Sequence, residues 1–253
     1  MSDLPPPIPA ATLVLMRPAA NGGPPELLMM ERPGHMAFAA GALVFPGGRI
    51  EDEDRAAAAA WADGSEEAAA RIAAIRETLE ETGIAAEVPI EPNGPTAFQL
   101  RSFLQGGASL FDTFTCAGVD PDLDALIPFA RWCPNFRETR RFDALFFLAE
   151  APADAPEPTP QPGEAVRAFW ASAAATLAEL DAGRAHAIFP TRRNLERLAL
   201  FASFAEARED ALRHPVRTIT PWIEEREGER WLCIPDDLGY PVTAERFETA
   251  RRG

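Results

Sequence analysis

The sequence has no lysine, only three cysteines and three histidines, and no long apolar run. Its 24 basic residues are therefore all arginines, and 39 acidic residues bring the formal net charge to −15. A nucleic-acid-binding domain needs a basic surface to neutralise phosphates, so this charge argues against nucleic acid as a partner. It is compatible with a phosphorylated small molecule if a cation mediates the contact.

The few cysteines and histidines argue against disulfide and zinc frameworks. Cys116, Cys133 and Cys233 are odd in number and widely spaced, which disfavours both. The histidines lie far apart and have no partner at metal-ligand spacing. We expect three buried thiols in a reducing cytoplasm.

No stretch of about 18 apolar residues occurs, so no membrane-spanning helix is expected. The first nine residues are proline-rich and acidic, which is unlike a signal peptide. We therefore expect a cytoplasmic protein without a membrane partner. The sequence leaves open whether it forms a homodimer.

Short apolar runs that stop at proline or glycine predict strands, and the first two predict an antiparallel hairpin. Longer stretches with helical periodicity predict helices between and after the strands. The predicted strands are 12–17, 26–31, 42–45, 142–149 and 165–170, and the predicted helices are 55–62, 66–82, 98–104, 172–182 and 191–208, with a short helix or turn at 121–127.

This order of elements indicates an α/β fold with a mixed sheet between helices. We expect one domain over residues 8–212, with insertions near 55–70 and 90–135. Residues 213–253 are expected to form an extension packed on the same domain. Two segments of it, 216–223 and 230–234, predict a hairpin about Glu227 and Gly228.

The helix predicted at 66–82 has clear boundary signals. Ser65 is a suitable N-cap, and Glu66 and Glu67 favour the first turn. Gly83 stands where a helix C-terminal glycine belongs.

Three glutamates near the end of this helix carry the chemistry. Glu77, Glu80 and Glu81 are spaced i, i+3 and i+4, so they share one face. Two carboxylates about 6 Å apart repel by roughly 0.7 kcal/mol in water and about 3 kcal/mol at an effective dielectric of 20. Arg76 is one step away and is expected on a different bearing, with nothing local to offset the repulsion. A divalent cation would offset it, whereas the alternative for a bare pattern of this kind is a solvated acidic face.

With Gly48 upstream, the run Arg-Glu-Thr-Leu-Glu-Glu-Thr-Gly-Ile at 76–84 resembles the signature of the Nudix hydrolase superfamily. Asp54 stands where that pattern has its first glutamate, and Thr78 stands where it has an apolar residue. Residues 55–75 make 21 positions where the pattern has seven, which is 14 more. The insertion puts the role of Asp54 in doubt but keeps the spacing of the helix glutamates.

The resemblance narrows to the branch that includes the peroxisomal acyl-coenzyme A diphosphatases, whose signature is similarly interrupted. The segments 32–36 and 41–48, the insertion with Trp61, and the run Arg140-Arg141-Phe142-Asp143 are similar to that branch. The similarity spans roughly residues 10–205. The chain ends without a peroxisomal targeting tripeptide.

The resemblance implies an α/β/α sandwich and a divalent cation, Mg²⁺ or Mn²⁺. The cation would be held by Glu77, Glu80, Glu81 and the carbonyl of Gly48. It also implies hydrolysis of a nucleoside diphosphate linked to another group, with coenzyme A or an acyl-coenzyme A as one substrate. ADP-ribose, another ADP-sugar, NADH, and a non-catalytic nucleotide-binding module remain alternatives.

Other residues are given roles as hypotheses. Arg76 is expected to orient a helix carboxylate, with a plain salt bridge as its alternative. Glu164 is the candidate general base and Glu157 the second choice, although a surface role fits Glu164 equally well. Three arginines could hold a phosphate or an adenine, or could simply balance an acidic protein: Arg137, Arg140 and Arg141.

Overall fold

The computed structural model describes residues 5–36, 39–90, 94–135 and 141–250. Its main sheet has eight strands, six of them in the order β3-β2-β1-β6-β5-β8, with β4 paired to β1 and β7 to β2. The strands are β1 (Ile8–Arg17), β2 (Glu26–Glu31), β3 (Leu43–Val44), β4 (Gly47–Arg49), β5 (Ile127–Trp132), β6 (Phe142–Glu150), β7 (Arg167–Ser172) and β8 (Thr218–Ile219).

The sheet is mixed, as predicted. Strand β1 runs parallel to β6 and antiparallel to β2 and β4. Its residues 13–16 are all buried, as expected for a strand covered on both faces. Leu13 and Leu15 point into one core, and Val14 and Met16 point into the other, because side chains alternate along a strand.

Helices cover both faces. One core is closed by the first four helices, and the opposite core is closed mainly by the fifth to seventh. The α/β/α arrangement is therefore confirmed. The helices are α1 (Asp52–Trp61), α2 (Glu66–Thr82), α3 (Ala97–Gln105), α4 (Leu110–Ala117), α5 (Ala173–Asp181), α6 (Phe189–Leu198), α7 (Phe204–Arg213) and α8 (Phe247–Ala250).

Helix α2 has the predicted bounds. The Ser65 hydroxyl accepts a hydrogen bond from the Ala68 backbone N–H. Gly83 ends the helix with φ 76°, a left-handed conformation that glycine adopts without steric cost. These local signals fix where the acidic face starts and stops.

The single helix predicted at 191–208 is wrong, because α6 and α7 are separate. The Ser203 side chain accepts from the Glu206 backbone N–H, and Glu206 Oε2 accepts from Ala202 N–H, so a new helix begins there. Serine followed three residues later by glutamate is a helix-start signal that the apolar periodicity masked.

Several other elements differ from prediction. Only Leu123–Ala125 forms a 3₁₀ turn within the predicted helix or turn at 121–127, and strand β5 begins at Ile127. Helices α4 and α8, strand β4 and a short strand at Ala244–Arg246 were not predicted. The expectation of three buried thiols is wrong, since Cys116 is exposed and Cys133 only partly buried.

The C-terminal hairpin is confirmed, but its first predicted strand is divided. Strand β8 joins the main sheet beside β5, whereas β9 (Trp222–Arg226) pairs with β10 (Glu229–Cys233) in a second sheet completed by β11 (Ala244–Arg246). Glu227 and Gly228 both have positive φ, which fits a tight two-residue turn. The boundary at 212/213 stays a prediction. Over the described ranges, no helix combines the length and hydropathy that crossing a membrane would take.

A buried ion pair joins the two helices that replace the predicted long one. Arg197 Nε and Nη2 donate to Asp210 Oδ2 at 3.0 and 2.7 Å, and Nη1 donates to the Phe129 carbonyl. Both side chains are largely buried. Breaking such a pair leaves the remaining charge without its partner.

We predict that Asp210→Ala lowers the free energy of unfolding by about 3–5 kcal/mol, the usual cost of breaking a buried pair. Urea denaturation monitored by circular dichroism measures it. Glu179→Ala, which removes the acid of the exposed Arg184–Glu179 pair, is the control and should leave the midpoint unchanged. Equal effects of the two variants would contradict the packing described here.

Candidate active site

The predicted acidic face lies at the C-terminal end of helix α2. Ile72, Ile75 and Leu79 anchor the helix on the sheet. Glu81 is 4% exposed, and the side chains of Glu77 and Glu80 are also mostly buried. The face is therefore not solvated, and that alternative is excluded for this helix.

Arg76 pairs with its neighbours, contrary to the sequence argument. Its Nη1 donates to Glu77 Oε1 at 3.1 Å and to Glu80 Oε2 at 3.0 Å. The expectation that nothing local offsets the repulsion is therefore wrong. A long arginine side chain can curl back over the same face even though its Cα lies on another bearing.

Asp54 anchors the other side of the same guanidinium. Arg76 Nε and Nη2 donate to Asp54 Oδ1 and Oδ2, both at 2.9 Å. Asp54 is 1% exposed, and its Oδ2 also accepts the backbone N–H of Glu51 at the start of α1. The extra residues between Asp54 and Arg76 therefore do not separate the two side chains. A bidentate, charge-assisted contact of this kind fixes the orientation of the guanidinium.

Two glycines let the backbone approach the carboxylates. Glu81 Oε2 accepts the Gly47 backbone N–H at 2.9 Å. A Cβ on Gly48 would lie 2.1 Å from Glu77 Oε1, so a side chain at this position would displace the Glu77 carboxylate. A Cβ on Gly47 would lie 2.4 Å from the Ala11 carbonyl oxygen. Strand β4 thus presses against the glutamate face.

Burial raises the pKa of all three glutamates. It raises the pKa of Glu77 to about 7, with Arg76 opposing the shift and the Glu80 charge adding to it. It raises the pKa of Glu81 well above the ordinary value, and the Glu77 charge adds to the shift. Burial also raises the pKa of Glu80. The site has more negative charge than Arg76 neutralises, so it favours a proton or another cation.

The donor chemistry suits a hard divalent cation, since only oxygen atoms are offered. In the ranges that the structure describes, however, no group of three or more His, Cys, Asp or Glu side chains is arranged to hold a metal ion. Glu77 and Glu80 each accept from Arg76 Nη1, and one oxygen of Glu81 accepts the Gly47 N–H. Glu77, pressed against Gly48, is the carboxylate whose position best fits the predicted ligand set.

The last turn of α2 also holds the loop that carries Glu164. The Glu81 carbonyl accepts from Gln161 N–H at 3.0 Å, and the Thr82 carbonyl accepts from Thr159 N–H at 2.8 Å. Glu164 N–H donates back to the Gln161 carbonyl, which closes a turn. The Glu164 charge contributes to the raised pKa values of Glu77, Glu80 and Glu81, so the predicted base lies near them.

The other predicted residues are placed elsewhere or lie outside the described residues. The Glu157 side chain is 82% exposed and pairs with Arg17 at 3.5 Å. Arg141 Nη1 donates to Asn135 Oδ1, and the Arg141 carbonyl accepts from Ile8 N–H. Arg137 and Arg140 lie outside the described residues, so their substrate-binding role stays a prediction.

Two arginines near the site were missed. Arg101 of α3 donates from Nε to the Glu80 carbonyl at 2.9 Å. The Arg32 charge opposes the rise in the pKa of Glu81, so this side chain also lies near the face. Helix α3 could be predicted from its sequence, but nothing in it indicates that Arg101 points at α2.

No protein-family model matches the chain. Among solved structures, a Nudix hydrolase from Alicyclobacillus acidocaldarius is 28% identical, with a TM-score of 0.72, over 83% of this chain and 97% of that one. The Nudix domain of Shewanella oneidensis NrtR with ADP-ribose is 14% identical over 76% and 85% of the two chains, with a TM-score of 0.44. A Caenorhabditis elegans Ap4A hydrolase is 15% identical over 69% and 86%, with a TM-score of 0.38. These two superpose too loosely for residues to be compared. The chain has the fold of the Nudix hydrolases, and its similarity to the Alicyclobacillus protein supports its assignment to the Nudix superfamily.

Proposed function

We propose that this protein is a Nudix-type pyrophosphohydrolase that cleaves the diphosphate bond of a nucleoside diphosphate linked to another group. The observation that carries the proposal is the set of three glutamates at the end of α2: Glu81 is buried, Glu77 and Glu80 are mostly buried, and Glu77 is pressed against Gly48. A structural helix face has no need of three such carboxylates with raised pKa values.

We further propose that Glu77, Glu80, Glu81 and the Gly48 carbonyl hold Mg²⁺ or Mn²⁺. Such an ion, when bound, supplies positive charge for the diphosphate and lowers the pKa of a coordinated water. Glu77 and Glu80 would contribute by exchanging their contacts with Arg76 Nη1 for the ion. Arg76 stays fixed by Asp54, because that bidentate contact does not involve the glutamates.

Each side chain then has a definite task in the hydrolysis. The oxygen of a water molecule attacks one phosphorus, and the bond from that phosphorus to the bridging oxygen breaks. A carboxylate oxygen of Glu164 takes the proton that the water loses, and the leaving phosphate departs with the bridging oxygen. Gly47 N–H holds the Glu81 carboxylate in place during the reaction. Arg32 and the predicted arginines Arg137, Arg140 and Arg141 are candidates for holding the substrate phosphates.

The proposed function first predicts a loss of turnover when a glutamate of α2 is replaced. Glu81→Gln should lower kcat by roughly 10²–10³-fold, the range found when one preorganised electrostatic stabiliser is removed. It should leave the fold intact, because one charge of a repelling set is lost. Product release measured with Mg²⁺ tests this, with Glu179→Gln as an exposed control. Near-full activity of Glu81→Gln would overturn the assignment.

The second prediction concerns pH and stability without metal. The pKa of Glu77 is raised by burial to about 7. Ionising the buried Glu77 carboxyl costs free energy in the folded state. The folded protein is therefore most stable at low pH, and this stability is lost as the pH rises through about 7. Chelator-treated protein should show a lower Tm at pH 8 than at pH 6, and Mn²⁺ should restore the Tm at pH 8.

The control for this experiment is Glu77→Gln, which has no titrating group at that position. The Tm of this variant should depend less on pH and should respond weakly to Mn²⁺. A wild-type Tm that is insensitive to both pH and Mn²⁺ would argue against a cation site at Glu77.

The third prediction concerns the substrate, with coenzyme A and its acyl derivatives as the first choice from the sequence resemblance. Incubation with Mg²⁺ or Mn²⁺ and a panel of coenzyme A, acyl-coenzyme A, NADH and ADP-ribose should release adenosine 3′,5′-bisphosphate from the coenzyme A compounds, identified by mass. AMP from NADH or ADP-ribose would select the alternatives instead. Binding without any product would favour the non-catalytic module.

A further inference from the structure

The end of helix α2 is held by two segments from outside the helix. The last carbonyls of a helix have no partner within it and must be satisfied elsewhere. Here the Glu80 carbonyl accepts from Arg101 of α3, and the Glu81 carbonyl accepts from Gln161. Adjacent residues of one helix therefore bring Arg101 and the Glu164 turn to the same place.

Arg101 is an unusual group to bury there. It is 7% exposed, and a Cβ built on Gly83 would lie 3.2 Å from its Nη1. Among the described residues, its Nη2 is buried with no hydrogen-bond partner, and so is Gln161 Oε1. A buried guanidinium with a free donor is costly unless negative charge lies close to it.

The negative charge comes from two sources. Helix α2 directs the negative end of its dipole at Arg101, and this end carries glutamates but no basic residue in its last turn. The other source is Glu164: burial lowers the pKa of Arg101, and the Glu164 charge opposes that shift.

We infer that Arg101 is a positioning residue, which fixes the end of helix α2 and, through charge attraction rather than a direct contact, keeps the Glu164 carboxylate on the side of the three glutamates of that helix. The inference rests on the proposed function, in which Glu164 takes the proton. Helix α3 then has a functional role, because its Arg101 supplies the positive charge that the last turn of α2 lacks.

A double-mutant cycle between Arg101 and Glu164 tests this, read first as Tm without metal and then as kcat and KM. Arg101→Met should lower the Tm by about 2–4 °C, the shift expected for about 1 kcal/mol in a domain of this size. In the Glu164→Gln background the same change should lower the Tm by clearly less. In wild type Arg101→Met should lower kcat with little change in KM, and it should lower kcat hardly at all when Glu164 is already glutamine.

Arg71→Met is the matched control. Like Arg101, Arg71 donates to a backbone carbonyl, in this case that of Leu123, but it lies on α2 itself, nine residues before Glu80. Its effects on Tm and on kcat should add to those of Glu164→Gln. If Arg101→Met does not fold, Arg101→Gln replaces it, because the amide can still donate to the Glu80 carbonyl.

The outcomes separate the two proposals. Changes in Tm that add for Arg101 as they do for Arg71 would overturn the positioning inference. If the Tm cycle is non-additive but the wild type hydrolyses no compound of the panel, the proposed function is overturned and the placement of Glu164 by Arg101 stands. Equal losses of kcat from Arg101→Met in both backgrounds would show a merely structural role.

Discussion

Three carboxylates lie at the negative end of helix α2, and the neighbouring groups of the site offset part of the electrostatic repulsion that this creates. The helix dipole and the mutual repulsion both disfavour anions at this position. Arg76 neutralises part of the charge through Glu77 and Glu80. Gly47 N–H satisfies one oxygen of Glu81. What remains is a face with uncompensated negative charge, which is the physical basis of the proposed cation site.

The contacts that meet this demand also fix the geometry. Asp54 clamps Arg76 from the start of α1, and the glycines of β4 bring backbone against the glutamates. The loop after β6 docks on the Glu81 and Thr82 carbonyls and brings Glu164 with it. Asp54 fixes Arg76, and Gly47 N–H fixes Glu81, as in a preorganised site, whereas Glu77 and Glu80 would have to leave Arg76 to bind an ion.

The parts of this site that sequence predicts are those with local causes. The bounds of α2 follow from Ser65 and Gly83, and the shared face of the glutamates follows from their spacing. The bearing of Arg76 was misjudged, because a side chain with four rotatable bonds is not fixed by its Cα. The contact between Arg101 and Glu80 depends on how α3 packs on α2, which no local pattern encodes. The same limit explains the division between α6 and α7, where periodicity outweighed a short capping signal.

We propose that the end of α2 binds a divalent cation beside the Gly48 backbone, and the rest of the proposed function depends on this ion. Anomalous diffraction from crystals grown with Mn²⁺ and a non-hydrolysable nucleoside diphosphate analogue tests it most directly. We predict an anomalous peak coordinated by the carboxylates of Glu77, Glu80 and Glu81 and by the Gly48 carbonyl, with the analogue's phosphates on the same ion. An occupied analogue with Mn²⁺ bound elsewhere, or with Arg76 still on Glu80 and no peak at the glutamates, would contradict the account.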